Sequence, residues 1–280
     1  MRYRLLYILL LLPAVWAKAQ VTYQKADSLT VCSLLAKANT KTSTLWFARQ
    51  FLGVPYVAHT LELNDKEQLV VNTRELDCTT LVETVTALTL CAQQGKKTWN
   101  DYLTTLKTLR YRQGKLDGYT SRLHYFSDWI RDKQSMKIIK EIQSPNPPFT
   151  AVQRVNVNYM STHPTAYKAL KEQPELVPVI RQQEQSLNTV KARYIPKSAL
   201  RRSTKALRQA VHDGDIIAIT CNKKGLDIAH LGFAVWKKDG LHLLNASMIH
   251  KKVVEEPMTF YQYLQKHPSH TGIRVLRIKN

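Results

Sequence analysis

Cysteine is scarce in this 280-residue chain. Cys32, Cys78, Cys91 and Cys221 are too few for a disulfide scaffold. None stands in a C-x-x-C pair and no H-E-x-x-H motif occurs, so neither a metal site nor metal catalysis is expected, and no cofactor is implied. Acidic residues are also in short supply: 41 Lys and Arg face 21 Asp and Glu, for a formal net charge of +20. No apolar run reaches the roughly 20 residues that a membrane-spanning helix needs. Repeats, low-complexity tracts and the usual nucleic-acid-binding motifs are missing as well.

The start of the chain is distinctive. Met1-Arg2-Tyr3-Arg4 is basic, Leu5 to Leu12 is apolar, and Ala17-Lys18-Ala19 forms an A-x-A site after Pro13. That pattern predicts a secretory signal peptide over residues 1–19, cleaved after Ala19. No cysteine follows the site, so no lipid anchor is expected, and the mature protein is expected to be exported, periplasmic or extracellular, without membrane association. Losing Arg2, Arg4 and Lys18 lowers the charge from +20 to +17. A basic exported protein is drawn to anionic polymers, and the carboxylates of peptidoglycan stem peptides are one candidate. Nucleic acid or a plain solvated basic surface would account for the charge equally well; export argues against nucleic acid.

The remainder, residues 20–280, reads as a single domain. Residues 20–50 are predicted helical, and Gly53-Val54-Pro55-Tyr56 breaks the pattern. Leu81, Val85, Leu88 and Ala92 recur at helical steps, predicting an amphipathic helix over 79–94 with Gly95 as its stop. Residues 98–110 and 122–132 also read as helices. The stretch from about 133 to 212 is rich in proline and reads as a mainly helical insertion that decorates the domain. After the Asp213-Gly214-Asp215 turn come short apolar strands at 216–219, 231–236, 241–246 and 251–254, a helix at 257–266 and a last strand at 272–278. Helices first and an antiparallel sheet afterwards make an α+β protein.

Cys78 stands at the head of the 79–94 helix, where backbone N–H groups and the helix dipole are expected to favour a thiolate. Cys91 lies 13 residues on, about 20 Å along a helix axis, which excludes a Cys78–Cys91 disulfide if that helix forms. A base is needed, and His230 has the most suggestive setting. Strand alternation puts it on one face with Gly232 and Ala234, small residues that would let the Cys78 helix pack closely. Asn245, on the next strand, is placed to hold the imidazole as the third member of a Cys-His-Asn set. Each residue also has a plainer role open to it: a strand histidine facing solvent, or an asparagine satisfying a strand end.

In their order, Asp77-Cys78, Gly214-Asp215, His230-Leu231-Gly232-Phe233-Ala234 and Asn245-Ala246-Ser247 resemble the NlpC-type cell-wall hydrolases, a papain-like superfamily. More narrowly, five segments resemble its N-acetylmuramoyl-L-alanine amidase-like branch, once known only as a domain of unknown function. They are Pro55-Tyr56-Val57-Ala58-His59-Thr60-Leu61-Glu62, Leu76-Asp77-Cys78-Thr79-Thr80-Leu81-Val82-Glu83, Tyr119-Thr120-Ser121-Arg122-Leu123-His124-Tyr125, Gly225-Leu226-Asp227-Ile228-Ala229-His230 and Gly272-Ile273-Arg274-Val275-Leu276-Arg277. The resemblance spans about residues 45–280. It implies a papain-like core with a catalytic helix on an antiparallel sheet, Cys78, His230 and Asn245 as catalytic residues, and peptidoglycan or a muropeptide as substrate. Tyr56, Asp77, Thr79, Ser121, Arg122 and His124 would contact the substrate, Arg122 gripping a stem carboxylate. Endopeptidases of the superfamily usually carry Ser-Gly after Asp-Cys, so Thr79-Thr80 favours the amidase branch. Position 59 is usually glycine there, and His59 would narrow the pocket. The third catalytic residue is often histidine, and an asparagine orients without charge. A γ-D-glutamyl-diamino acid endopeptidase and a non-catalytic wall-binding protein are the alternatives.

Overall fold

A computed structural model describes residues 21–279, so the expected signal peptide lies outside the described residues. The first half is helical. A two-residue strand β1 (Val21–Thr22) is followed by α1 (Lys25–Lys37), α2 (Thr44–Arg49), β2 (Leu69–Val70), α3 (Cys78–Gln93), α4 (Trp99–Arg110) and α5 (Phe126–Ser135). The middle contains β3 (Ile139–Ile142), β4 (Ala151–Arg154), α6 (Tyr159–Thr162), α7 (Lys168–Glu172), α8 (Val177–Leu187), β5 (Lys191–Pro196) and α9 (Lys205–Ala210). The end supplies β6 (Ile216–Cys221), β7 (Ile228–Lys237), β8 (Gly240–Ser247), β9 (Lys252–Glu255), α10 (Phe260–Gln265) and β10 (His270–Ile278).

Helix α3 begins where Asp77 can cap it. The Asp77 carboxylate accepts from the Thr80 N–H at 2.8 Å, and the Thr80 hydroxyl accepts from the Asp77 N–H at 2.9 Å, a reciprocal capping box. It ends as expected at Gly95, whose φ of +67° is the left-handed conformation glycine tolerates. The expected amphipathic pattern is corrected, because every residue from Thr80 to Ala92 is buried. The sheet covers one side and α1, α2 and α4 cover the others, so the threonines between the apolar positions are enclosed too. Thr89 bonds back to the Val85 carbonyl at 2.8 Å. Glu83 pairs with the buried Arg110 at 2.7 Å, and Arg110 also donates to the Val70 carbonyl.

The main sheet is antiparallel, in the order β4-β5-β10-β6-β7-β8-β9, with β3 beside β10 as well. On one face Ala218, Leu231, Phe233, Leu244 and Ala246 pack under α3; on the other Ile217, Ile219, Ala234 and Leu243 pack against Phe260 and Leu264 of α10. Helix α3 therefore does not pack on the small residues of β7, as expected, but on its large ones. Gly232 is small for another reason: a Cβ there would stand 2.6 Å from the Leu244 carbonyl and 2.7 Å from Leu243 Cδ1.

Three other expectations are corrected. Of the expected 20–50 helix, residues 21–50 form β1 and two helices separated by a turn. The predicted 122–132 helix starts only at Phe126, because Arg122 is extended and bridges Tyr111. The middle stretch is more than a decoration: β3 and β5 lie directly on β10, and β4 extends the sheet from β5. These strands are short, and Arg274 of β10 ties two of them in. It donates to Glu141 of β3, to Ser127 Oγ at 2.8 Å and to Gln153 of β4 at 3.4 Å.

Candidate active site

Cys78 opens α3, and as the first helical residue its N–H has no helical carbonyl to bond. The thiol lines a cavity of about 260 Å³ together with Thr79, His230 and Leu231. The rest of the wall is Leu226 to Ala229, His124, Tyr125 and Phe126, with Met160 and Tyr167 supplied by the middle of the chain. Wider clefts exist at the Asp213–Asp215 turn, beside Lys96 and between Glu62 and Lys168, but no cysteine lines any of them.

His230 sits near the start of β7, beside a bulge at Ala229 that interrupts pairing with β6. Its Nε2 donates to Asn245 Oδ1 at 2.9 Å. Asn245 is fully buried, and its Nδ2 donates to Glu256 Oε1 at 3.0 Å. The other Glu256 oxygen accepts from His250 Nε2 at 3.2 Å. The order cysteine, histidine, asparagine read from the sequence is thus assembled in space, and it continues into Glu256 and His250, which sequence reasoning missed. The available signal was Glu256 itself, an acid directly after β9 in a chain short of acids.

The electrostatics correct one expectation. Burial and the nearby Asp77 push the Cys78 thiol up to about 12, although the Leu231 N–H, the Thr79 hydroxyl and the Cys78 N–H act the other way. Withdrawal from water outweighs the helix start, so Cys78 rests as a thiol. Burial also holds His230 below its ordinary 6.5, against the favourable Asn245 bond and the Glu256 charge; nearby His267 adds to the lowering. A neutral thiol therefore faces a neutral imidazole. The two share the cavity without a hydrogen bond between them in this structure.

The remaining expected residues divide. Thr79 and His124 line the cavity. His124 Nε2 donates to the Tyr119 carbonyl at 2.9 Å, and burial with the Arg122 charge lowers its pKa to about 3. Tyr56 is half-buried close enough to Cys78 to feel it: burial, Cys78 and Asp77 push its hydroxyl to about 12. The Asp77 carboxylate is engaged as the helix cap. Ser121 is turned into its own loop, donating to the Gly118 carbonyl at 2.7 Å. Arg122 is the clearest correction. It is buried, paired with Glu62 at 2.7 Å and Glu67 at 3.4 Å, and lies over the Tyr119 ring, so it is not free to grip a substrate carboxylate. Its acidic partners stand about sixty residues earlier in the chain, beyond the reach of local reading. His59 is exposed and absent from the cavity wall, so it does not narrow the pocket.

The family model for N-acetylmuramoyl-L-alanine amidase-like (AmiA-like) proteins matches residues 46–273. The chain belongs to that family. An N-acetylmuramoyl-L-alanine amidase from Bacteroides uniformis ATCC 8492, solved as a crystal structure, is 42% identical with a TM-score of 0.79, over 85% of this chain and 98% of its own. A candidate xylanase from Bacteroides fragilis is also 42% identical, with a TM-score of 0.77, over 83% of this chain and all of its own. A Legionella pneumophila protein at 23% identity and a TM-score of 0.68 shares the fold. No curated protein matches the chain. The family match begins at Trp46 and runs through Cys78, His230, Asn245 and Glu256, so all four fall inside it.

Proposed function

We propose that the protein is an exported cysteine amidase with a papain-like core, cleaving the amide between N-acetylmuramic acid and L-alanine in peptidoglycan or its fragments. The observation that carries this reading is the shared cavity of Cys78 and His230, with His230 Nε2 held by Asn245. That bond leaves Nδ1 as the nitrogen available to the thiol. His230 takes the Cys78 proton as sulfur attacks the lactyl carbonyl carbon. The oxyanion is met by the Cys78 N–H at the helix start, which bonds no helical carbonyl. Collapse expels the alanine nitrogen, which takes the proton back from His230, and leaves an N-acetylmuramoyl thioester on Cys78. Water, deprotonated by His230, then releases the acid and restores the thiol.

The supporting details are local. Because His124 Nε2 donates to a carbonyl, its Nδ1 is an acceptor for a substrate N–H. Tyr125, Phe126, Met160 and Tyr167 offer an apolar wall. A glycosidase, as the Bacteroides fragilis name would suggest, needs two carboxylates across one bond. The cavity wall holds only Asp227, whose carboxylate accepts the Ser127 N–H at 2.7 Å. A peptidase cutting after D-glutamate would need an anion for a free alanine amine, and Asp77 is already engaged as a cap. Digestion of one defined muramyl-tripeptide tests the reading. Release of a tripeptide starting with L-alanine is expected from wild type and not from Cys78→Ala. Cleavage after D-glutamate in a sugar-free peptide, with the muramyl-tripeptide left intact, would replace it by the peptidase.

A further inference from the structure

Glu256 is buried almost completely, at 1% exposure, in a chain whose acids are few. Its two carboxylate oxygens are divided between Asn245 Nδ2 and His250 Nε2. Its backbone is fixed as well: the N–H donates to the Leu243 carbonyl at 2.8 Å, and its carbonyl accepts from His242 Nδ1 at 2.9 Å. We infer that Glu256 is the positioning residue that selects the working tautomer of His230, an inference that rests on the cysteine-hydrolase reading of this site.

The reasoning follows from donor and acceptor types. A carboxylate can only accept, so it holds the amide NH2 of Asn245 toward itself. The amide oxygen must then face His230. That oxygen also can only accept, so the imidazole proton is required on Nε2. Nδ1 is left bare for the thiol proton. An asparagine alone does not make this choice, because either end of the amide can turn to an imidazole. Turned the other way, its NH2 would demand a bare Nε2 and place the proton on Nδ1, the nitrogen that must act as base. His250, partly open to solvent, holds the second carboxylate oxygen and so fixes the plane of the carboxylate.

This division of labour also accounts for an uncharged third residue. The charge that steadies the imidazolium formed during attack sits one residue further back, at Glu256, and reaches His230 through the amide. The Glu256 charge already counts among the influences that favour protonated His230.

The test substitutes an amide for the carboxylate. In Glu256→Gln, residue 256 can offer either an oxygen or an NH2, and Asn245 loses its reason to keep one orientation. The kcat on a muramyl-tripeptide is expected to fall about 10–100-fold with KM little changed. Nitrogen-15 spectra at alkaline pH, with His230→Gln used to assign the signal, are expected to change from a single Nε2–H pattern to a mixture of tautomers. The double variant Asn245→Asp with Glu256→Gln places an acceptor beside His230 again, and is expected to recover the single pattern and most of the lost kcat. It also decides the matter if Glu256→Gln alone does not fold. Wild-type kcat in Glu256→Gln, or an unchanged Nε2–H pattern there with no recovery in the double variant, would overturn the assignment. A wild-type enzyme that leaves muramyl-tripeptide intact, while Glu256→Gln still shows the tautomer change, would sink the proposed substrate and leave the role of Glu256 standing.

Discussion

The proton on Cys78 is held by burial. With the thiol pushed to about 12 and His230 held below 6.5, a thiolate–imidazolium pair is not the resting form. The sign of the pH dependence follows. His230 accepts a proton only while neutral, so kcat/KM should be level from about pH 7 upward and fall only below 6.5, as the lowered imidazole is protonated. Alkylation of Cys78 by iodoacetamide should be slow at pH 5–6; rapid labelling there would mean a preformed thiolate and defeat this assignment. Substitutions at the two ends of the constellation should differ in size. Cys78→Ala should cost at least about 10³-fold in turnover, and Asn245→Ala about 10–100-fold, since an orienting group contributes less than the nucleophile. His59 makes a separate prediction. Its φ of +64° is left-handed and its side chain is exposed, so His59→Gly should stabilise the protein by about 0.5–1 kcal/mol in urea denaturation without altering kcat. Unchanged stability would mean that the His59 side chain supplies contacts worth as much as the strain.

At the scale of elements, α3 carries the site because it is enclosed. The Glu83–Arg110 pair crosses from α3 to α4 with both side chains about 3% exposed. Removing one partner leaves a buried charge uncompensated, so Glu83→Ala should lose about 3–5 kcal/mol of stability by chemical denaturation. A loss below about 1 kcal/mol would show that water or another group reaches Arg110. The regular elements were legible in the sequence wherever one period dominated. The Leu81, Val85, Leu88 spacing marked α3, and the apolar runs after Asp215 marked β6 to β10. What could not be read was the direction from which neighbours arrive. Nothing local says that α3 is covered on all sides, or that it lies on Leu231 and Phe233 instead of Gly232. Arg274 and Arg277 stood among segments resembling the family or beside them, yet both are scaffold: Arg274 binds β3, β4 and α5, and Arg277 grips Asp215 at 2.8 and 2.7 Å.

Across the whole molecule, the site is built from both ends of the chain and closed by its middle. Cys78 and Thr79 come from the helical half and His230, Asn245 and Glu256 from the sheet. Tyr125 links the middle to the site, donating to Glu184 of α8 at 2.7 Å while accepting the Met160 N–H at 3.0 Å. Cys78, His230 and Asn245 stood out in the sequence because each is a chemically special residue in a simple setting, and the structure brings them together. Arg122 misled because its partners Glu62 and Glu67 are distant in sequence, and Met160 and Tyr167 were invisible because ordinary apolar residues become a wall only through tertiary packing. The formal charge of +20 also belongs to this scale. The central claim joins one atom to one bond: Cys78 sulfur attacks the lactyl carbonyl. Intact-protein and peptide mass spectrometry of the enzyme, quenched in acid during turnover of a muramyl-tripeptide, tests both at once. The expected adduct is an N-acetylmuramoyl group in thioester linkage on the peptide containing Cys78. A peptidyl adduct at that residue, or steady product formation by Cys78→Ala, would contradict it.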